Sequence, residues 1–559
     1  MHDLINYPIK FSIQNLLRRC DELERRCAAL EERNDKLEIE NVELKRQNVE
    51  LKRQNLDLRH RINDLTLENQ QLREEIHRLK KQKKRPKIPP SNLERGGGNE
   101  RGTSSKIKQG VYAKVKKQEV IIHPKFIPEG SRFKGYQNFH VQDLHIEIEK
   151  TTYKLAVYET PTGEVIHGEL PFDLYGKHFG PELIAFCLDQ YHGRGVTQPE
   201  LLKLLLEWGI EISSGELSDL IIKGKEDFHR EKEEIFEAGC ASTDTLSVDD
   251  TGARHKGKNG YCTNICGPFF SYFKSTESKS RINFLEILRG NHKDYILSCE
   301  ALMYAFEQGI SEKTQAILDA NYEKRFTCEK AWKKFLEIHG ISSKKDIRLA
   351  TEAALLGSAI EHGLPPDTEI LSDAAKQFDI CILVNAFCWI HEERHYRKFI
   401  ALAEEEKAWI VKIRNGIWDL YEKLKTYKKR PEKDLRQKIE ISFDKLFGSK
   451  TGYQSIDHLL GNTLSRKEGL LQVLNYPWIA LHNNDCERDI REYVKRRKIS
   501  GSTRSELGRK ARDTFTSLKK TCRKLGICFW DYLRDRIGKY GRIPPLSDLI
   551  IKKTRDHPA

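Results

Sequence analysis

Leucine returns at every seventh position from Leu16 to Leu79: Leu16, Leu23, Leu30, Leu37, Leu44, Leu51, Leu58, Leu65, Leu72 and Leu79. With these placed at d, the a positions read Ile13, Cys20, Cys27, Asn34, Asn41, Asn48, Asn55, Ile62, Asn69 and Ile76. A 3.5-residue apolar period sustained this long predicts a coiled coil over residues 1–84. Leu at d with repeated Asn at a predicts a parallel, in-register homodimer, because a buried Asn pairs best with its own equivalent. The g-to-e′ pairs agree, since Arg26–Glu31, Glu40–Lys45 and Glu75–Lys80 are opposite in sign. The dimerisation seam is assigned to the stretch from Leu23 to Leu58.

The heptads give way to Pro, Gly, Ser and dense Lys/Arg over 85–119, a flexible basic linker that suits either DNA-backbone contact or a solubilising tether. Short β-branched runs separated by turns predict a small β-rich module at 120–175. Residues 176–240 read as helices. Gly209 and Ser213 break and then cap a helix pair compatible with a helix-turn-helix. Glu216 and Asp219 on the second helix speak against phosphate contact there. An α/β unit follows at 241–540. It opens with three short strands, the first ending in Asp249-Asp250, and a helix from Ser280 to Arg289. A second short strand ends at Asp373. Helical insertions are expected at about 291–363 and 399–474, and residues 541–559 are left as a C-terminal tail. The fold class is therefore mixed: a long parallel coiled coil, a β-rich and helical middle, and an α/β core.

The stretch from Leu481 to Ser500, LHNNDCERDIREYVKRRKIS, combines a helix start with one acid and a run of cations. Asn483, Asn484 and Asp485 supply short polar side chains able to accept first-turn amide protons. Glu487, Arg491 and Lys495 fall near one helical stripe. Arg488, Arg496, Arg497 and Lys498 extend the basic run, and Arg504, Arg509 and Lys510 follow. Residues 481–525 hold 14 Lys/Arg against 6 Asp/Glu, so much of the chain's +14 formal charge gathers beside Glu487. That balance favours a polyanionic partner, with DNA the expected one.

Asp249, Asp373 and Glu487 are hard oxygen donors suited to Mg²⁺ or Mn²⁺. Three carboxylates can hold two such ions roughly 3.5–4 Å apart for in-line phosphoryl transfer. Thirteen cysteines without a CxxC pair suit reduced thiols in a cytoplasm, and the lone Cys262/Cys266 spacing predicts no zinc site. His391 reads as a packed or hydrogen-bonded histidine. No apolar run reaches membrane-spanning length, so no membrane is expected.

Three blocks carry a family resemblance: VDDTGARHKGKNGYC; ILSDAAKQFD with FCWIHEERHYRK; and HNNDCERDIREYVKRRKISGSTRSELGRKARDTFTSLKKTC. In this order, behind a leucine zipper, the chain resembles insertion-sequence-66 family DDE transposases from residue 243 to about 537. The resemblance implies a ribonuclease-H-like catalytic core, two divalent metals, and cutting and joining of DNA at a mobile element's terminal inverted repeats and target. It implies a bacterial cytoplasmic protein associated with the nucleoid. The family's first Asp falls on Asp249, its second on Asp373 and its Glu on Glu487. Two departures stand out. The family's Cys-rich zinc module has no counterpart in the cysteine-free 120–174, so zinc is not carried over. Its Asp-Glu pair is Asp249-Asp250 here, leaving Asp250 as a substitute ligand for Asp249. Two other readings stay open: a domesticated zipper protein that binds DNA without transposing, and a nuclease of the same fold without strand transfer.

Overall fold

The computed structural model describes Arg25, residues 121–122, 126, 128–136, 139–141, 146–170 and 178–556. The heptads of 1–84 with their dimerisation positions, apart from Arg25, and the linker at 85–119 lie outside the described residues.

Among the described residues of 120–175, the strands form an antiparallel hairpin. Its strands β1 (Val157–Glu159) and β2 (Val165–His167) are exposed at every position. A two-stranded ribbon of this kind has no apolar face of its own to bury. Helices α1 (Pro181–Leu188), α2 (Gln198–Glu207), α3 (Ser214–Ile222) and α4 (Glu226–Ala241) follow, with a π-helical turn at Asp189–Arg194 between the first two. Ser213 and Glu216 cap α3 reciprocally, at 3.1 and 2.8 Å, so Glu216 serves the helix start. Cys187, Leu201, Leu205, Ile212, Leu217 and Ile221 form the buried seam of this helical group.

The central sheet is built from β3 (Thr245–His255), β4 (Lys258–Cys266), β5 (Ser271–Thr276), β8 (Glu369–Ser372) and β9 (Val384–Phe387), in the order β5-β4-β3-β8-β9. The β5-β4-β3 half is antiparallel and the β3-β8-β9 half parallel. Lys256 and Gly257, both at positive φ, close the β3–β4 hairpin in two residues, the geometry that matches strand twist. The three opening strands are longer than their turn-rich composition predicts. Thr, Gly and two Asp residues stay in β3 because β4 pairs with it from Ser247 through His255. Leu246 and Val248 anchor β3 in the main core.

Between β5 and β8 the chain adds α5 (Arg281–Leu288), α6 (Cys299–Glu307), α7 (Glu312–Asp319), α8 (Glu329–Ile338) and α9 (Lys344–Glu361). A two-stranded sheet, β6 (Tyr295–Ile296) with β7 (Arg325–Phe326), joins them. After β9 come α10 (Trp389–Lys398), α11 (Glu404–Lys429), α12 (Lys433–Phe447), α13 (Gln454–Ser465) and α14 (Lys467–Leu470). These form a separate core around Trp389, Ile417, Leu424 and Phe443. The chain then returns to the sheet as α15 (Asn484–Ser500) and α16 (Glu506–Leu525), and ends in α17 (Phe529–Gly538) and α18 (Leu546–Asp556). The stretch set apart as a tail therefore carries a docked helix, α18, with Leu546 and Ile550 fully buried.

Helix α16 closes the open edge of the sheet. Backbone N–H groups of Ser271, Phe273 and Ser275 on β5 donate to Thr521, Ser517 and Asp513 side chains at 3.1, 2.9 and 2.7 Å. Four helical residues rise about 6 Å and two strand residues about 6.7 Å, so an i, i+4 row matches alternate strand amides. An edge that would otherwise template strand addition is covered in this way. Among the described residues, no helix is long and apolar enough to cross a membrane.

Candidate active site

The three acids converge where parallel pairing in the sheet stops. β3 pairs with β8 only from Thr245 to Ser247, and β8 ends at Ser372. Asp249 therefore lies inside β3 with respect to β4, but just past the end of the parallel half. Asp373 follows β8 directly. The crevice beyond the carboxyl ends of parallel strands, beside the strand where sheet direction changes, is the usual ligand position in open α/β sheets. Glu487 arrives in the first turn of α15.

Asn483 sets that helix in place, though not as a side-chain cap. Its amide nitrogen Nδ2 donates to the Val248 carbonyl at 2.7 Å, and its backbone N–H to Cys388 Sγ at 3.3 Å. Those bonds tie the start of α15 to the residue before Asp249 and to the start of α10. Farther along, Ile490 and Tyr493 pack on Ala253, Cys262 and Phe273.

Asp249 accepts the Asp250 N–H at 2.8 Å and has no cationic partner among the described residues. Burial, followed by the charges of Asp373, Asp250 and Glu487, pushes its carboxyl up to about 7 despite that hydrogen bond. Asp250 stands differently: it ion-pairs with Lys279 and accepts from Gln377 Nε2 at 2.8 Å. Asp373 accepts the Ala375 N–H at 3.0 Å, a local turn that carries Ala374 at φ 64°. Glu487 is held by His391 Nε2 at 3.4 Å and Arg394 Nη2 at 3.3 Å, both from α10, and by Arg491 at 3.6 Å. The His391 pKa is lowered, chiefly by burial and then by Arg394, and its Nδ1 is buried without a hydrogen-bond partner.

Sequence reading missed His391 and Arg394 as partners of the acid. Their i, i+3 spacing in the HEER run was the available signal, but nothing local ties that run to a glutamate 93 residues on.

Among the described residues, no three His, Cys, Asp or Glu side chains stand close enough to form a ready metal cage. The donor chemistry nevertheless fits a hard divalent cation. Asp373 and Glu487 are near enough for their charges to raise the Asp249 carboxyl, Asp249 has no cationic partner among the described residues, and His391, in contact with Glu487, keeps a buried ring nitrogen without a hydrogen-bond partner. Cys262 and Cys266 are buried free thiols of β4.

The predicted basic row divides in two. Arg488, Arg491, Lys495 and Lys498, at steps of three and four, share the exposed stripe of α15, and Arg504 and Lys510 are exposed beyond it. Arg488 pairs with Asp485, and Arg509 with Glu506 at 2.7 Å. Arg496 and Arg497 turn inward, because 100° per residue cannot keep adjacent positions on one face. Arg497 donates to the Gly252 carbonyl on β3, and Arg496 is buried at 8% exposure.

Residues 370–511 match the family model described as "Transposase IS66 family". That segment contains Asp373 and Glu487, with Asp249 upstream of it. The chain is also 38% identical over 322 residues to "Uncharacterized protein y4jO" of Sinorhizobium fredii (strain NBRC 101917 / NGR234), a match covering 57% of this chain and 100% of the relative. The chain belongs to the IS66 family of transposases.

Proposed function

We propose that this transposase cuts and joins DNA at a ribonuclease-H-like core, with Asp249, Asp373 and Glu487 as its metal-binding acids. The observation that carries the reading is the uncompensated Asp249 carboxyl, raised to about 7 beside Asp373 and Glu487 at the end of the parallel strands. Strongly perturbed acids in a crevice mark functional sites more often than ordinary surface carboxylates do. The sheet order, three antiparallel strands followed by two parallel ones, supports the ribonuclease-H-like assignment.

Asp249 is the preferred first ligand, since Asp250 already has Lys279 and Gln377 as partners. Two Mg²⁺ or Mn²⁺ ions at the three acids would supply an activated oxygen nucleophile and stabilisation of the leaving oxygen. The chain's own residues do the rest. β3 holds Asp249 and β8 carries Asp373 directly past its end, and Asn483 ties the start of the Glu487 helix to Val248. Arg394 offsets the charge of Glu487 in the metal-free protein, and His391 Nε2 lies 3.4 Å from the same carboxylate. Arg488, Arg491, Lys495 and Lys498 present a cationic stripe on which a DNA backbone can lie, and Arg504, Arg509 and Lys510 extend it. Pairing of two chains through the 1–84 heptads would bring two such cores to the two ends of an element.

The test is strand transfer in Mg²⁺ on DNA carrying the element's terminal repeats, comparing wild type with Glu487→Gln. The reading predicts cleaved and joined products from wild type alone; identical products from both proteins would sink the assignment.

A further inference from the structure

A second charged site lies away from the acids, in a cleft between the π turn, α15 and α16. His192, Arg194, Lys495, Arg496, Arg512 and Lys519 line it. Arg496 follows Glu487 by nine residues (496 − 487), about 13 Å along the helix and about half a turn around it, so it projects from the opposite side of α15.

The charges in this cleft do not balance. Arg194 has Asp189 at 3.0 Å and Lys519 has Glu492 at 2.6 Å. Arg496 and Arg512 are each 8% exposed, and neither forms an ion pair among the described residues. Arg512 donates one hydrogen bond, to the Gly501 carbonyl at 3.1 Å. Both terminal nitrogens of Arg496 are buried without any hydrogen-bond partner. Its guanidinium lies 4.0 Å over the Tyr191 ring, a contact that steadies the cation but satisfies none of those donors. Five cations thus face two carboxylates, and two of the cations are buried. Burying a charge without a partner is costly, and a fork of unpaired guanidinium donors matches the oxygens of a phosphate.

The surrounding backbone is shaped around that fork. The π turn ends at Gly195, whose φ of 86° an L side chain rarely adopts, and which lies beside Arg496 Nη1. His192 stacks on Phe515 at 4.2 Å and bonds the Ile221 carbonyl at 3.3 Å, making an apolar floor. Single π turns of this kind recur at functional sites.

We propose that this cleft is an anion site that takes one phosphate group, gripped by Arg496 and Arg512 with Lys495 at its mouth. The phosphate is either one phosphodiester of a DNA strand passing behind α15 or a free phosphate. The site does not depend on the metal-binding acids.

The experiment uses the full chain in EDTA, so that no cleavage contributes. In the first arm, 10 mM inorganic phosphate raises the wild-type Tm by roughly 1–3 °C over chloride of equal ionic strength. Arg496→Met loses that rise, and without phosphate it melts at or above the wild-type temperature because an unpaired buried charge is gone. In the second arm, duplex binding is measured against salt. A several-fold affinity loss in Arg496→Met, with the slope of log K against log salt reduced by about 1, assigns the phosphate to DNA. Unchanged duplex affinity alongside the Tm effect assigns it to free phosphate. Thr516→Glu, which places a carboxylate in the same cleft, covers the case in which Arg496→Met does not fold; it should also abolish the phosphate response. The proposal is overturned if wild type shows no phosphate response and Arg496→Met binds DNA normally. It is equally overturned if phosphate still stabilises both variants. Loss of catalysis in Glu487→Gln leaves both readouts unchanged, so failure here and failure of the catalytic assignment are separable.

Discussion

Asp249 in the central sheet and Asp294 in the helical insertion are both enclosed carboxylates, and their surroundings drive them in opposite directions. Asp294, 6% exposed, accepts from Ser358 Oγ at 2.6 Å and Arg325 Nε at 2.7 Å, with His362 Nε2 at 2.9 Å. Burial works against its charge, but the bonds from Ser358, His362 and Arg325 outweigh it and hold the carboxyl at about 2. Asp249 also pays for burial, but with one backbone bond, three neighbouring acids and no cation among the described residues to offset it, and rises to about 7. The first arrangement is complete in itself and tethers β7 and α9 to the loop before β6. The second has no cationic partner among the described residues to offset its charge.

The largest test of that contrast is catalytic. Asp249→Asn should lower strand cleavage by at least about 10³-fold, beyond the 10–100-fold typical when a metal's outer partners are lost. Asp294→Asn should leave the activity of correctly folded protein within a few-fold of wild type. Comparable losses from both, in protein shown to be folded, would erase the distinction. Stability should respond the other way round. Asp294→Asn strips a buried network of its acceptor charge and should cost roughly 3 kcal/mol, the low end of the usual range because Arg325 is half exposed. Denaturant midpoints at constant slope measure this directly.

The next effect is the pH dependence. Asp249 binds its proton more tightly when folded than when unfolded, so it favours the folded state at low pH. That contribution falls away as pH rises from about 4 to about 7. Asp249→Asn should flatten this slope and, in metal-free buffer near pH 7, stabilise the chain by on the order of 2–4 kcal/mol. Asp294 has the opposite sign: its contribution is present above about 4 and is lost as pH falls toward 2. Difference curves of each variant against wild type should therefore slope in separate pH windows. A flat Asp249→Asn difference curve between pH 4 and 7 would show that its carboxyl is not raised.

How legible each cluster was in the sequence follows from the range of the interactions that build it. Asp249, Asp373 and Glu487 stood out because strand-end acids and an acid in a basic helix are visible within a dozen residues. The strand ending in Asp249-Asp250 was readable from the sequence, but its length was not, because β4 supplies the pairing that keeps Asp-Asp-Thr-Gly extended. Asn483 looked like a cap, and its real partner, the Val248 carbonyl, lies 235 residues away. The helical stripe Arg488, Arg491, Lys495 and Lys498 is written in local spacing, whereas the inward turn of Arg496 depends on Tyr191 and the π turn, which no window on α15 contains. The Asp294 cluster was invisible for the same reason: its partners come from β7 and α9.

The smallest predicted effect asks why Glu487 has cations at all if its site awaits a metal. Its contacts with His391 and Arg394 run 3.3–3.4 Å, against 2.5–2.9 Å for the closest contacts of Asp294 with Ser358, Arg325 and His362, and the Arg394 side chain is 30% exposed. Long, partly exposed pairs of this kind contribute little, on the order of 1 kcal/mol, and are exchangeable. If a divalent ion binds Glu487 as proposed, Arg394 would have to leave that carboxylate first. Arg394→Gln should lower the Mg²⁺ concentration needed for half of the metal-dependent Tm rise by a few-fold, since about 1 kcal/mol of competition is removed. A shift to higher Mg²⁺ would mean instead that Arg394 positions Glu487 for the metal. The Glu487 contacts would then resemble the fixed network at Asp294, and the division between a completed cluster and a waiting one would rest on Asp249 alone.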